Sequence, residues 1–234
     1  NRKVVVCHVL RYTVFIRKIK ELLDSGVIGR LLSINHTENV IFWHQAHSFV
    51  RGNWRKEKDT TPMIMAKCCH DLDLITYFAN SKCNYVSSFG ELTYFKKENK
   101  PVGASNRCLT CKYIESCPYS AKRIYIDKWK KEGSLQEAWP YDVICSTPIT
   151  EEKLYKAIDD SNYGRCVFEC DNDVVDHQMN IMQFENGIIA TLDMEAFTAH
   201  GGRRIRLMGD KGEIIADEHE DYIIVKPFFG DELK

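Results

Sequence analysis

The turn Asn186-Gly187 lies between two segments in which apolar and polar residues alternate, and this hairpin pattern most constrains the fold. Asn-Gly is the strongest short-range signal for a two-residue type I′ turn between antiparallel strands. Such a turn predicts three facing pairs on one apolar face: His177 with Ala196, Met179 with Met194, and Ile181 with Leu192. We therefore expect an antiparallel sheet with one face under a helical layer and a mixed opposite face suited to water or a subunit contact.

The chain before this hairpin opens with an apolar run, Val4–Val9, which is typical of a strand covered on both faces. An amphipathic helix pattern then covers Thr13–Asp24, and a strand pattern covers residues 31–41. This order predicts the tail of a parallel sheet whose earlier part is absent. We expect residues 1–30 to be that tail with a connecting helix, and residues 31–234 to form a second domain.

A charged, Pro-containing break, KKENKPVGASN, interrupts the second domain. We expect an insertion from about residue 96 to residue 172, with one helix over Pro118–Lys131 and another capped by Thr150. Helices and hairpins in separate segments predict an α+β fold.

Composition limits the function classes. The 234 residues are 44% hydrophobic, enough to bury a sizeable core, and 32 basic residues balance 33 acidic ones. This balance argues against a nucleic-acid or membrane surface and favours small neutral or mixed-charge ligands. No apolar run approaches the length of a membrane span, and the N-terminal residues do not resemble a signal peptide, so we expect a cytoplasmic protein.

The segment Thr61–Phe78 predicts one helix with few positions left for water, so its charged residues should be partly enclosed. Enclosed charges either pair or take part in chemistry. One interpretation is a structural ion pair between Lys67 and Asp71 with a core histidine at His70. The other is a site in which His70 and Lys67 face a ligand.

Residues 42–55, FWHQAHSFVRGNWR, concentrate histidine, arginine and tryptophan around a glycine. Such side chains suit hydroxyl or carboxylate recognition, and we predict that His47, Arg51 and Trp54 contact substrate. The alternative is a solvated loop with aromatic anchors. His177 is more typical of a hydrogen-bonded core histidine.

The insertion carries Cys108-x2-Cys111-x5-Cys117, three thiols with few core-forming neighbours. A structural zinc needs four ligands, and Cys166 is the first candidate for the fourth, followed by Cys170. The alternative is a set of free cytosolic thiols. An iron–sulfur cluster could use the same ligands, but no ferredoxin-like run accompanies them, so we predict structural zinc at Cys108, Cys111, Cys117 and Cys166.

Five motifs occur in a fixed order along nearly the whole chain: CHVLRYTVFIRKIKELLDSGVIG, AHSFVRGNWR, AKCCHDLD, DHQMNIMQFENG and RRIRLMGDKGEI. In this order they resemble the glucose-fructose oxidoreductase / inositol dehydrogenase / MocA family. The resemblance implies a Rossmann domain that binds NAD or NADP, followed by an α+β domain. That second domain has a large, mostly antiparallel open sheet with helices on one face, here with a helical cysteine-containing insertion.

The sequence departs from the family pattern in three places. It contains neither G-x-G-x-x-G nor the Glu-Lys-Pro motif, so residues 1–30 would be the tail of the Rossmann domain and the chain alone would be inactive. Where many members carry an aspartate four residues before the helix histidine, this chain has Ala66, with Lys67 next to it.

The resemblance implies oxidation of a sugar, polyol or related hydroxy compound, with His70 as the base and Lys67 steadying the oxygen or relaying the proton, and Asp71 or Asp73 orienting the imidazole. It also implies a homo-oligomer through the open sheet face. Two alternatives stay open: an NAD-using glycosidase of the same architecture, and a zinc-stabilised binding or assembly module without catalysis.

Overall fold

A computed structural model describes residues 2–233. The chain divides into two compact units. The sheet unit contains residues 2–40, 64–90 and 177–233, and the helical unit contains residues 41–63 and 91–176. Among the described residues, no helix has the length and apolar character needed to cross a membrane.

Seven strands form one sheet in the order β2-β3-β4-β1-β5-β6-β7. The pairs β1/β5, β3/β4, β5/β6 and β6/β7 are antiparallel. This confirms the predicted α+β class with a large, mostly antiparallel open sheet. The strand bounds are β1 Leu31–Ile41, β2 Cys83–Glu91, β3 His177–Phe184, β4 Ile189–Thr198, β5 Gly202–Gly209, β6 Gly212–Asp217 and β7 Tyr222–Pro227.

Three longer helices are α1 Val14–Asp24, α2 Cys69–Ala79 and α3 Glu151–Asp160. The predicted cap at Thr150 is confirmed, since its side chain accepts a hydrogen bond from the Lys153 amide. Thr13 caps α1 in the same way and accepts a hydrogen bond from the Ile16 amide. The shorter helical segments are Val9–Tyr12, Phe42–His44, Gln45–Arg51, Glu57–Asp59, Met63–Ala66, Lys97–Asn99, Arg123–Asp127, Lys128–Lys131, Tyr141–Ile144 and Asn162–Gly164.

The predicted register of the β3/β4 hairpin is wrong by one residue. Met179 faces Asp193 and Ile181 faces Thr191, because the connection has three residues instead of two. Its last residue, Gly187, has a φ of +86° and its amide bonds the Phe184 carbonyl, as in a turn with a glycine bulge. The shift buries Asn180, Met182 and Phe184 of β3 and leaves Met179 and Ile181 exposed.

Two other expectations are corrected. Val4–Val9 does not form a strand, and Val4, Val5 and Val6 are exposed, since no described strand lies beside them. The predicted single helix over Thr61–Phe78 is interrupted at Lys67 and Cys68, between Met63–Ala66 and α2. Neither Gly nor Pro causes this break, so tertiary contacts override the local helix preference.

Each unit has its own core. In the sheet unit, the inward residues of β1, β4 and β5 and the buried side of α2 are almost fully covered. The core of the helical unit is built largely from aromatic and aliphatic side chains of the insertion: Phe95, Tyr119, Tyr125, Trp129, Tyr141, Leu154, Ile158 and Phe168.

The left-handed backbone at Gly187 can be tested by substitution. A Cβ at this position meets nothing within 4 Å, so Gly187→Ala adds only backbone strain. We expect a loss of about 1 kcal/mol in the free energy of unfolding, measured by urea titration. Gly187→Asn should cost less, because Asn tolerates this conformation. Equal losses in the free energy of unfolding for Gly187→Ala and Gly187→Asn would contradict a left-handed backbone conformation at residue 187.

Candidate active site

The first turn of α2 presents two titratable side chains. Asp71 points into the core of the sheet unit and is fully buried, whereas His70 is partly exposed. The turn before α2 places Lys67, also partly exposed, on the same stretch. The imidazole of His70 is therefore partly accessible to solvent, and an enzymatic role requires this access.

Asp71 and Arg203 form a buried ion pair between α2 and β5. The Arg203 Nε donates to Asp71 Oδ1 at 2.7 Å, and His36 Nε2 lies 2.8 Å from the same oxygen. The Nδ1 of His36 has no partner among the described residues, so the contact of Nε2 with Asp71 is the hydrogen bond that orients this ring. The His36 ring and the Arg203 guanidinium therefore both contact the same carboxylate, that of Asp71.

A second carboxylate joins Arg203 to Lys67. Glu38 lies directly opposite Arg203 in the β1/β5 register, and its Oε2 is 3.0 Å from Arg203 Nη2. The other oxygen, Oε1, is 2.6 Å from Lys67 Nζ. Lys67 thus pairs with Glu38, and the structural pair between Lys67 and Asp71 that the sequence also allowed is wrong.

The two carboxylates respond differently to burial. For Asp71, burial alone would raise the pKa, but the His36 hydrogen bond and the nearby positive charge outweigh it and hold the pKa well below its usual range. For Glu38, burial dominates over the attraction of Arg203 and raises the pKa. Asp71 is therefore the fixed negative charge of this network.

His70 is held as a neutral base. Burial lowers its pKa, and the positive charges of Arg203 and Lys67 and the His8 ring act in the same direction, while Asp71 opposes them. Its Nδ1 is buried and has no hydrogen-bond partner among residues 2–233. Asp73, an expected partner of this ring, instead accepts from Arg11 Nε at 2.7 Å and lies 3.5 Å from His8. His70 is thus unprotonated near neutral pH.

Sequence reasoning missed three members of this network: His36, Glu38 and Arg203. Their signal was present in the alternation of β1, where His36 and Glu38 occupy inward positions that apolar residues normally fill. A charged residue at an inward position of a strand needs a buried partner. Asp71 was a candidate charged residue in the sequence, but it could not be identified as the partner of His36 without knowledge of the fold.

The three side chains predicted to contact substrate lie in the helical unit. His47 and Arg51 are buried, with 2% and 1% of their surface exposed, whereas Trp54 is 45% exposed. His47 Nδ1 lies 2.9 Å from the Tyr125 hydroxyl, and burial lowers its pKa to about 3. As placed, only Trp54 of the three offers a large accessible surface, and substrate contact by all three stays a prediction.

The predicted zinc site at Cys108, Cys111, Cys117 and Cys166 is not supported. Within residues 2–233, no three His, Cys, Asp or Glu side chains are grouped so that they could hold a metal ion. The four cysteines instead line a cavity of about 270 Å³ in the helical unit. Four sulfurs around a space of this size do not meet at one point, as a tetrahedral zinc requires.

The Asp71 charge predicts a large stability effect. Asp71→Asn leaves Arg203 without its buried partner and should cost about 3–5 kcal/mol in urea unfolding. Asp73→Asn, two residues along α2, removes a carboxylate whose partner Arg11 is 35% exposed and stays hydrated when unpaired, so it should cost less than Asp71→Asn.

The same substitution predicts a pH dependence. Because the folded pKa of Asp71 is lowered, its contribution is fully present above about pH 4, the usual aspartate pKa, and is lost as the pH falls below it. The difference in stability between wild type and Asp71→Asn should therefore shrink on acidification. A difference that stays constant down to acid unfolding would contradict the ion pair.

The family described as "Oxidoreductase family, C-terminal alpha/beta domain" (GFO_IDH_MocA_C) matches residues 20–226. YteT of Bacillus subtilis (strain 168), described as a presumed oxidoreductase, is 24% identical over 228 residues, which is 94% of this chain and 49% of YteT. The chain therefore spans about half the length of this curated relative.

Solved structures share the fold. An oxidoreductase domain protein from Kribbella flavida aligns with a TM-score of 0.57 and 16% identity over 97% of this chain and 45% of its own. A levoglucosan dehydrogenase in complex with NADH and L-sorbose aligns with a TM-score of 0.55 and 15% identity over 94% of this chain and 42% of its own. The chain belongs to the Gfo/Idh/MocA oxidoreductase family and carries its C-terminal alpha/beta domain.

Proposed function

We propose that the full protein is an NAD(P)-dependent oxidoreductase acting on a sugar, a polyol or a related hydroxy compound, and that this chain supplies the substrate and oligomerisation domain. One observation carries the proposal: His70 is a neutral, partly exposed base beside two fixed cations. Family membership and the fold shared with a levoglucosan dehydrogenase support the reaction class.

The residues present fit the substrate side of such a reaction. A nicotinamide held by another part of the protein would accept a hydride, and this chain contains no glycine-rich turn for the dinucleotide. Residues 1–30 would be the tail of the nucleotide-binding domain, and residues 31–234 the C-terminal domain with its insertion at about 96–172.

His70 would take the proton of the substrate hydroxyl. A general base works best when its pKa lies near the working pH, and a pKa lowered from the usual histidine value leaves the His70 ring unprotonated and free to accept the proton. The Lys67 ammonium, fixed by Glu38 at 2.6 Å, would stabilise the negative charge that develops on the substrate oxygen. Because Asp71 and Arg203 anchor the first turn of α2, the base is held in place before substrate arrives.

Substrate recognition is assigned to the segment around Gln45–Arg51 and the turn that follows. Trp54 has an exposed ring suited to the apolar face of a sugar. His47 and Arg51 are almost completely buried, so the proposed substrate contact falls to Trp54. All ten cysteines are free thiols in the structure, which supports the proposed cytoplasmic location.

The base assignment is tested in the full protein. His70→Ala should lower kcat about 100-fold or more with a panel of sugars and polyols, while the dissociation constant for NAD or NADP stays the same. His200→Ala, an exposed histidine of the sheet unit, should leave kcat unchanged. Full turnover by His70→Ala would rule out this base.

The pH profile gives an independent readout. Because only the neutral ring accepts a proton, kcat/KM should rise with pH through the His70 pKa. Burial and the nearby cations lower this pKa, so the rising limb of the profile should be centred below the usual histidine value of about 6.5. Lys67→Met should move the limb to higher pH, since it removes one of the cations. An unchanged limb would contradict the electrostatic role of Lys67.

The open sheet face supports a homo-oligomer. Met179 and Ile181 on β3, with Ile189 and Phe197 on β4, expose large apolar side chains on the face opposite the core. Adjacent exposed apolar residues of this kind mark interaction surfaces. The predicted partner is a second copy of the same chain.

The mass of the full protein, measured by sedimentation, tests the proposed contact between two copies of the chain. Ile181→Asp places a charge within the apolar patch and should shift the full protein toward the monomer, with unfolding in urea little changed. Val102→Asp, at an equally exposed apolar residue of the insertion, is the control and should leave the mass unchanged. A monomeric wild type would exclude the oligomer.

A further inference from the structure

The segment 101–120 of the helical unit is an ordered chain without a helix or a strand. Successive turns close it, for example from the Cys111 amide to the Cys108 carbonyl at 3.1 Å and from the Cys117 amide to the Tyr113 carbonyl at 2.8 Å. Loops of this length inside compact domains are uncommon and are usually functional. Something other than regular secondary structure must hold this one together.

An isolated bridge brings a fourth cysteine to the segment. Arg107 and Arg165 pair in antiparallel fashion. On either side of the bridge the Cys108 amide bonds the Gly164 carbonyl and the Cys166 amide bonds the Asn106 carbonyl, both at 2.9 Å. Cys108 and Cys166 are therefore held on opposite sides of the Arg107/Arg165 pair, and with Cys111 and Cys117 they line the cavity of about 270 Å³.

The cavity also contains a buried cation without a carboxylate partner. Arg51 is almost completely buried, and its hydrogen bonds go to the carbonyls of Arg165 and Tyr119, at 2.8 and 2.7 Å, and to Cys108 Sγ at 3.4 Å. Its Nη1 has no partner among the described residues. A buried charge without a counter-charge is unfavourable because nothing offsets its desolvation, so this cavity favours an anionic occupant.

The number and arrangement of the thiols favour one kind of metal group over another in this cavity. A single zinc places every sulfur about 2.3 Å from one point, and the described side chains show no such grouping. A cubane iron–sulfur cluster presents four irons at separate corners, so its four thiolates stand apart around a cavity. With four thiolates bound it is also negatively charged, which Arg51 would offset.

We infer that Cys108, Cys111, Cys117 and Cys166 bind a [4Fe–4S] cluster, with Arg51 as its buried counter-charge. The cluster arrives already assembled from a thiolate-ligated donor. Each cysteine sulfur bonds one iron and displaces one donor thiolate, which takes up the proton released by the cysteine thiol, so binding transfers no electrons. The cluster fastens segment 101–120 to the turn at Cys166. This site is independent of the base proposed at His70.

The cluster is tested in the full protein after anaerobic purification and after anaerobic reconstitution with iron salts and sulfide. We expect about four irons and four acid-labile sulfides per chain, with visible absorption that bleaches with dithionite. Each of the single substitutions Cys108→Ser, Cys111→Ser, Cys117→Ser and Cys166→Ser should remove most of the iron. Less than one iron per chain after reconstitution, or one zinc without sulfide, would overturn the cluster.

Two other cysteines of the helical unit are matched controls. Cys170 donates to the Cys166 carbonyl at 3.3 Å, and neither Cys170 nor Cys145 lines the cavity. Cys170→Ser and Cys145→Ser should therefore keep the full iron content. If Cys170→Ser loses the cluster and Cys166→Ser keeps it, the fourth ligand is wrongly assigned.

The role of Arg51 has a separate readout that does not depend on iron content. Loss of a nearby positive charge makes reduction of the cluster less favourable. Arg51→Gln should therefore shift the midpoint potential, followed by electron paramagnetic resonance, to more negative values, while Arg51→Lys should stay near wild type. Far-ultraviolet circular dichroism checks that both variants fold. Equal potentials in all three proteins would refute the counter-charge.

Discussion

The buried ion pair between Asp71 and Arg203 fixes the relation between α2 and the sheet. Its two ends lie 132 residues apart in the chain, on the first turn of the helix and on β5. Each end is nearly inaccessible to water, so either charge alone would be strongly unfavourable. Together with the paired Glu38 and the His36 ring, they allow a polar cluster to occupy a position that aliphatic side chains fill elsewhere in the sheet.

The sequence predicted the elements better than their partners. Local patterns determine α1, β1 and α3, because caps and alternation depend on neighbouring residues. The same patterns identified the stretch around His70 as enclosed and chemically unusual. They could not connect Asp71 to Arg203 or Lys67 to Glu38, because these pairs depend on which strands become neighbours in the sheet.

The hairpin shows how a small local error spreads. Asn186-Gly187 is a strong turn signal, but the turn also includes Glu185, and one extra residue exchanges the two faces of β3. The observed register buries Asn180, whose amide donates to the Leu192 carbonyl at 3.1 Å and whose Oδ1 accepts from Ser88. A buried amide that is satisfied in this way is compatible with the core, so composition alone could not distinguish the two registers.

Arg203 also connects the stability of the sheet unit to the basicity of His70. Its charge holds Asp71 ionised, and the same charge lowers the pKa of the neighbouring imidazole. A hydrophobic replacement of the network could preserve the packing of α2, but it would remove a cation that keeps His70 neutral. The four buried polar side chains of this interior, His36, Glu38, Asp71 and Arg203, are therefore explained more fully by their electrostatic effect on the proposed base His70 than by stability, since buried ion pairs contribute little net stability over well-packed apolar groups.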